Sequence, residues 1–170
     1  MIHHYLLWRL RKLVATTNTP AFAVTKSADQ TINDVTLTQI TFDVEDFDTD
    51  AAFASNVFTC PDDKPGIYFF QSEIFGRSSN DIGAINLELY KTPSGGSAAS
   101  VASTETYGHS TGSPRSYMSR ITHLESMAAG DTMEIKLYHD TASDATFLVN
   151  QSNQNTDNRT RFAGFRVAGL

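Results

Sequence analysis

From Ala21 onward, the chain alternates short segments rich in Val, Ile, Thr, Phe and Tyr with clusters of Gly, Pro, Ser, Asn and Asp. This alternation is typical of an all-β sandwich, and helical periodicity is almost absent from the same region. The pattern predicts about ten strands packed as two sheets. The predicted strands are Ala21–Lys26, Val35–Val44, Ala52–Phe58, Gly66–Phe75, Ala84–Lys91, Ala98–Tyr107, Arg115–Leu124, Asp131–His139, Thr146–Asn150 and Thr160–Ala168.

Length and composition favour a single domain over residues 21–170, preceded by an arm and linker over residues 1–20. The chain has 170 residues, of which 40% are hydrophobic and 11% aromatic. This is enough apolar surface to fold by burial alone, without disulfides or a structural metal. Cys60 is the single cysteine, so no internal disulfide can form, and we expect it to be a small buried hydrophobic residue.

Several glycines have predicted folding roles. Gly66 and Gly130 each precede a predicted strand, where a positive φ is expected, and Asp131 is expected to accept hydrogen bonds from nearby backbone amides. Gly164 is expected to leave space for a neighbouring ring or backbone. The segment Ile67–Phe70 is apolar at successive positions, which predicts a central strand covered on both faces or one whose second face meets a neighbouring subunit.

The first 14 residues differ from the rest in charge and pattern. Three of the 13 basic side chains lie here with no acid, so the rest of the chain carries ten basic against 19 acidic ones, a net charge of −9. The segment fits one apolar helical face or an extended conformation with Trp8 and Leu10 on one side. It is predicted to be a partner-binding arm, with a misassigned start as the alternative. The arm residues are Tyr5, Leu6, Leu7, Trp8, Arg9, Leu10, Arg11 and Lys12.

The charge balance and hydropathy exclude several classes of protein. An acidic body is a poor binder of nucleic acid, because neutralising phosphates requires clustered Lys and Arg. The apolar run at Tyr5–Trp8 is interrupted by Arg9, far short of the roughly 20 residues that a membrane-spanning helix requires. We therefore predict no membrane span, and no secretory signal, because the basic residues follow the apolar run instead of preceding it.

No motif for enzymatic or metal chemistry is found. The acidic run Asp43–Asp50 could offer Asp46, Asp48 and Asp50 to calcium, but it lacks the glycine and distal glutamate of a helix-loop-helix calcium site. We interpret it as a solvated acidic loop that protects a sheet edge. The histidines lack metal-ligand spacing, and no Gly-x-Ser-x-Gly or phosphate-binding loop is present. The prediction is therefore a non-enzymatic protein without a cofactor or metal.

A series of four elements resembles the globular head of complement component 1q and, more distantly, the tumour necrosis factor superfamily. The elements are Ala21-Phe22, then Phe58-Thr59-Cys60 with Pro65–Phe69, then Leu124 with Gly130-Asp131, and finally Phe162–Phe165. The resemblance covers residues 21–170 and implies a ten-stranded jelly roll that forms a compact homotrimer, with aromatic strands lining the threefold axis. Candidates for the trimer interface or for the core are Tyr68, Phe70, Tyr138, Phe162 and Phe165.

The chain departs from that family because no collagen stalk precedes the head. Free-standing heads with a short leader look more like bacterial or bacteriophage surface proteins. The leading hypothesis is a trimeric structural protein of a virion surface, a bacteriophage capsid decoration (cement) protein whose arm contacts the shell. The alternative is the head of a phage tail fibre or bacterial surface adhesin, at the cell surface or extracellular. It would read a glycan or protein through its loops at Pro93–Ser97, His109–Pro114 and Asn150–Asn158.

Overall fold

The computed structural model describes residues 18–78, 80–107, 115–141, 147–149 and 160–169. Every regular element in these ranges is a β-strand. The arm, the loop at 109–114 and the loop at 150–158 lie outside the described residues. The strands are β1 (Ala21–Thr25), β2 (Gln30–Ile32), β3 (Thr38–Gln39), β4 (Val44–Asp48), β5 (Phe53–Ala54), β6 (Val57–Thr59), β7 (Gly66–Ser78), β8 (Ile82–Thr92), β9 (Ala99–Tyr107), β10 (Arg115–Met127), β11 (Thr132–Thr141), β12 (Phe147–Val149) and β13 (Arg161–Gly169).

The strands form two antiparallel sheets, which confirms the predicted fold class. One sheet has seven strands in the order β2-β12-β7-β13-β1-β4, with β10 paired to β7. The other has six strands in the order β5-β6-β11-β8-β9, with β3 paired to β11. Among the described residues, β4 and β10 each pair with a single strand in the seven-stranded sheet, as does β9 in the six-stranded sheet.

The described strands number thirteen, because two predicted strands are divided and the short strand β2 was not predicted. The predicted strand Val35–Val44 changes sheets, since β3 pairs with β11 in one sheet and β4 pairs with β1 in the other. The predicted strand Ala52–Phe58 is a tight hairpin. Its two-residue turn, Ser55-Asn56, has positive φ at both positions, 51° and 67°, as the primed hairpin turns require.

The core lies between the sheets and is rich in aromatic rings. The Phe22 ring is centred 5.1 Å from the Phe58 ring and 5.0 Å from the Phe162 ring. Tyr68 and Phe70 stack in the same layer with ring centroids 5.9 Å apart. All five of these side chains are at most 1% exposed. Offset and edge-to-face ring pairs add to the hydrophobic free energy of burial, so this layer holds the sandwich together.

Gly164 allows the closest approach in that core. A Cβ at this position would lie 2.7 Å from Cδ1 of Phe70 and 2.9 Å from Cε1 of Phe22. The predicted role of Gly164 as a space for neighbouring rings is confirmed. The predicted positive φ of Gly130 is also confirmed, at 77°. For Gly66 the prediction was wrong, because its φ is not positive and its constraint is steric: a Cβ would lie 2.2 Å from the carbonyl oxygen of Ala168.

Candidate interaction surface

The surface of the seven-stranded sheet that points away from the core, called here the outer face, is apolar over much of its width. Directly opposite residues of antiparallel strands lie on the same face of the sheet. Phe69 of β7 lies opposite Leu124 of β10 and opposite Phe165 of β13. The Phe69 and Phe165 rings are 5.5 Å apart. Since Tyr68 and Phe70 point into the core, strand alternation directs Phe69 outward.

The apolar surface continues across the next two strands. Ala21 of β1 lies opposite Phe165, and Ala23 lies opposite Phe47 of β4. Phe47 is 50% exposed, Phe165 37% and Leu124 58%. A groove of about 360 Å³ runs along this part of the face, lined by Asn18, Ala21, Phe22, Phe47, Phe69, Gln71, Ala163, Gly164 and Phe165. Exposed apolar side chains on one continuous face are typical of an interaction surface.

The outer face becomes charged beyond Gln71. Glu73, whose side chain is 11% exposed, accepts hydrogen bonds at Oε2 from Nη2 and Nε of Arg120, at 2.6 and 3.0 Å. Nη2 of Arg161 lies 3.5 Å from the same oxygen. Two guanidinium groups therefore share one carboxylate, which gives this end of the outer face an excess of positive charge.

The five predicted interface or core residues lie in three different places. Tyr68, Phe70 and Phe162 are fully buried between the sheets and belong to the core of a single chain. Phe165 lies on the outer face, as described above. Tyr138 is half-buried on β11, opposite Asn86 of β8, in the six-stranded sheet. The structure therefore does not bring the five residues together in one site.

Sequence reasoning missed Phe47, Met118 and Leu124 as surface residues. Met118 and Leu124 are 52% and 58% exposed on β10. One signal was available, because the apolar run Ile67–Phe70 places hydrophobic side chains on both sides of β7. The sequence analysis allowed that the second face of this run contacts a neighbouring subunit, but it could not predict which strands lie beside β7.

The acidic run forms the edge strand β4 and the turn after it, so the prediction of a loop was wrong. Oδ2 of Asp48 accepts a hydrogen bond from the backbone N–H of Phe53 at 2.7 Å, and Asp50 accepts one from the Thr49 hydroxyl at 2.6 Å. The described residues contain no group of three or more His, Cys, Asp or Glu side chains able to hold a metal. The absence of a bound metal and of a cofactor stays a prediction.

A partly buried ion network joins the sheets near the turn before β11. Nζ of Lys91 lies 3.0 Å from Oε1 of Glu125 and 3.2 Å from Oδ2 of Asp131. Asp131 also accepts the backbone N–H groups of Ser94 at 2.9 Å and Ala128 at 3.0 Å, as predicted for this residue. Burial opposes ionisation, but these hydrogen bonds and Lys91 hold the pKa of Asp131 below its ordinary value. The network stabilises the fold in its charged form.

A histidine and a carboxylate also meet inside the sandwich. Nε2 of His139 donates to the carbonyl oxygen of Ile32 at 2.8 Å, and Nδ1 lies 3.6 Å from Oδ1 of Asp34. Asp34 accepts the backbone N–H of Thr141 at 2.7 Å and its hydroxyl at 2.9 Å. His139 is fully buried and Thr141 is 3% exposed, so the imidazole is not exposed at the surface. Its role is to join β2 and β11.

Cys60 is buried, as predicted, and lies beside Tyr68. Its Sγ is 3.7 Å from the Tyr68 hydroxyl, which donates to the carbonyl oxygen of Lys64 at 2.7 Å. Burial raises the pKa of both the Cys60 thiol and the Tyr68 hydroxyl above their ordinary values. A buried, protonated thiol is a poor nucleophile, so this pair is structural.

Comparison with known proteins decides the fold. No protein-family model and no curated protein matches the chain. Among solved structures, the globular domain of zebrafish complement 1qA is similar at a TM-score of 0.61 and 19% identity, over 89% of this chain and 100% of that chain. Eiger TNF from S. frugiperda is similar at 0.60 and 12% identity, over 88% and 93%. The chain has the complement 1q and tumour necrosis factor jelly-roll fold.

The jelly-roll likeness confirms the resemblance that the four sequence elements carried. At identities of 19% and 12%, the likeness establishes the fold alone. Activity and partners have to be inferred from the surface chemistry of the chain itself. Within the described part of the chain, no helix has the length and hydropathy to cross a membrane.

Proposed function

We propose that the chain is a non-enzymatic surface protein that assembles as a homotrimer through its outer face. The observation that carries the proposal is the apolar surface formed by Phe69, Phe165, Leu124 and Phe47, three of which are at least 37% exposed. Soluble monomers rarely leave a large continuous apolar patch in water, because its burial is strongly favourable. The resemblance to complement 1q heads supports a threefold arrangement of the copies.

Light scattering on the full chain tests the assembly. We expect three chain masses for the native protein and a large shift toward one chain mass for Leu124→Glu, because a charge at a buried contact loses its hydration. Ser103→Glu is the matched control, since Ser103 is exposed on β9 of the other sheet. The proposal would be refuted if the native protein had the mass of a single chain. It would also be refuted if the Leu124→Glu variant assembled like the control.

The more specific proposal is a structural protein of a virion surface, a bacteriophage capsid decoration protein. Its support is the combination of an acidic jelly-roll body with a basic, Trp- and Leu-containing arm, which would contact the shell. Removing residues 1–14 is expected to abolish binding to capsids, while light scattering still gives three chains per assembly. Unchanged capsid occupancy after the deletion would eliminate this role for the arm.

A ligand-binding head of a tail fibre or bacterial adhesin is the competing function. Of the three loops predicted to read a ligand, only Pro93–Ser97 lies within the described residues, where it is an exposed hairpin tip. The tip turns at Gly95, whose φ is 72°, and its ends are joined by a 2.8 Å hydrogen bond from Gly96 N–H to the Pro93 carbonyl. Saturable binding on a glycan array by the full chain, with no capsid binding, would favour this function.

A further inference from the structure

A second cavity, called here the edge cleft, lies between β4 at the end of one sheet and β5 at the end of the other. The edge cleft has a volume of about 320 Å³ and is lined by Phe42, Phe53 and Glu45, among others. We propose that it binds the side chain of a lysine presented by a partner protein. The ammonium group would pair with Glu45, and the alkyl stem would pack on the two rings. This inference rests on neither the homotrimer nor the virion role.

Strand β4 directs the Glu45 side chain into the edge cleft. Glu45 lies directly opposite Val24 of β1, which is 2% exposed on the core side of its sheet. Directly opposite residues share a face, so the Glu45 side chain is on the core side as well. It is nevertheless exposed, because β4 is the last strand in its sheet order and the cleft opens beside it. Its carboxylate makes no hydrogen bond or ion pair with a described residue and is therefore available to a ligand.

Hydrogen bonds hold the walls of the edge cleft in place. Oδ1 of Asn56 accepts the backbone N–H of Phe42 at 2.7 Å, which ties the turn after β5 to the segment before β4. The Phe42 and Phe53 rings are 6.2 Å apart and nearly perpendicular, at 72°. Asp43 accepts the backbone N–H and the hydroxyl of Ser27, at 2.6 and 2.8 Å. The cleft is therefore preformed, so binding requires little rearrangement.

The charge of the edge cleft favours an organic cation. Of the described residues that line it, two are acidic, Asp43 and Glu45, and none is basic. A metal ion fits poorly, because both oxygens of Asp43 already accept hydrogen bonds and the described residues contain no group of three or more metal-ligating side chains. An organic ammonium group fits well, because the Glu45 carboxylate supplies the opposite charge and aromatic ring faces attract cations.

The chain itself holds a lysine by the same chemistry on its six-stranded sheet. Nζ of Lys136 lies 4.3 Å from the centroid of the Tyr90 ring and 3.2 Å from Oε1 of Glu134. A ring and a carboxylate together thus fix one ammonium group. Size also allows the edge cleft to take such a side chain, since an apolar cavity of about 150 Å³ already holds a benzene ring.

Asn56 distinguishes a lysine within a protein from a small free amine. Its Oδ1 is used by the Phe42 N–H, whereas its Nδ2 donates to no described residue. An amide NH₂ group pairs with a carbonyl oxygen, which a peptide backbone supplies and a simple amine lacks. The edge cleft therefore favours a lysine that is part of a polypeptide.

Titration of the full chain with Nα-acetyl-lysine N-methylamide, followed by ¹⁵N–¹H spectra, tests the site. We expect saturable shifts centred on the backbone amide of Glu45 and the side-chain amide of Asn56, with a Kd of roughly 1 mM or above for so small a ligand. The norleucine derivative has a similar stem without the charge and should bind roughly fivefold more weakly. n-Butylammonium should also bind more weakly than the lysine derivative, and equal binding would overturn the assignment to a polypeptide.

Two variants locate the binding in the edge cleft. Glu45→Gln should weaken binding of the lysine derivative roughly three- to tenfold. Phe53→Leu keeps an apolar side chain but removes the ring, and should weaken binding roughly two- to fivefold. The matched control is Asp46→Asn, a carboxylate-to-amide change on the same strand at an exposed residue that does not line the cleft. Circular dichroism confirms that the variants fold.

Equal affinity of the Glu45→Gln and Asp46→Asn chains for the lysine derivative would overturn the inference. Equal binding of the lysine and norleucine derivatives to the native chain would overturn it as well. Leu124→Glu should leave the affinity unchanged, because Leu124 lies on the outer face and does not line the edge cleft. Light scattering reports the homotrimer separately, so failure of the assembly and failure of this site are distinguishable.

Discussion

Replacing Asp131 by asparagine is expected to destabilise the fold far more than an isosteric change usually does. The side chain is 4% exposed, and its two oxygens accept backbone N–H groups from Ser94 and Ala128. Asparagine keeps the shape and one acceptor but puts an NH₂ group in place of the other. That group cannot accept the remaining backbone N–H, and it replaces the charge that pairs with Lys91.

The magnitude follows from these contacts. A hydrogen bond to a charged group contributes about 1.5–3 kcal/mol, and a buried donor left without a partner forfeits this contribution. Lys91 keeps Glu125 at 3.0 Å, so the lost ion pair adds only about 1 kcal/mol. Asp131→Asn should therefore lower the free energy of unfolding by about 2.5–4 kcal/mol. For a chain of this length, this corresponds to a fall in Tm of about 5–15 °C.

Urea unfolding followed by circular dichroism, at fixed protein concentration, measures the difference. The lowered pKa of Asp131 means that its contribution is complete above the ordinary aspartate pKa, about 3.9, and is lost as the pH falls through the folded value. The free energies of unfolding of the native chain and of the Asp131→Asn variant should therefore converge in acid. Asp63→Asn, at an exposed position, is the control. A difference below about 0.5 kcal/mol at neutral pH, or one that is unchanged in acid, would refute the reasoning.

Three further predictions concern the core and its turns. Gly164→Ala should cost about 1–3 kcal/mol, because the added methyl overlaps the Phe70 and Phe22 rings, and an unchanged urea midpoint would contradict this. Ser55→Gly should raise the free energy of unfolding by about 0.5–1 kcal/mol, because φ at this position is 51° and glycine adopts this conformation without the steric cost of a Cβ. A lower urea midpoint would contradict this. Cys60 should react with a thiol reagent only as fast as the protein opens, so immediate labelling of the folded chain would contradict its burial.

Part of the candidate surface could be predicted from the sequence. The run Ile67–Phe70 showed that both sides of β7 are apolar, since strand alternation is a local property. It could not show that Leu124, 55 positions after Phe69, lies directly opposite that residue. Phe47 was hidden for a different reason: it lies within an acidic run whose carboxylates suggested a loop. A surface assembled from five strands depends on pairing and register, which no local pattern encodes.

By itself, the sequence determined the class of fold, most strand positions and the turns at Gly95 and Gly130, because hydrophobic periodicity and backbone conformational preference act over a few residues. Only the tertiary structure decided that Tyr68 and Phe162 belong to the core whereas Phe165 faces solvent. Strand alternation separates two faces but does not say which one is covered, because that depends on which sheet packs against it. Phe47 of the acidic strand β4 lines an apolar groove for the same physical reason.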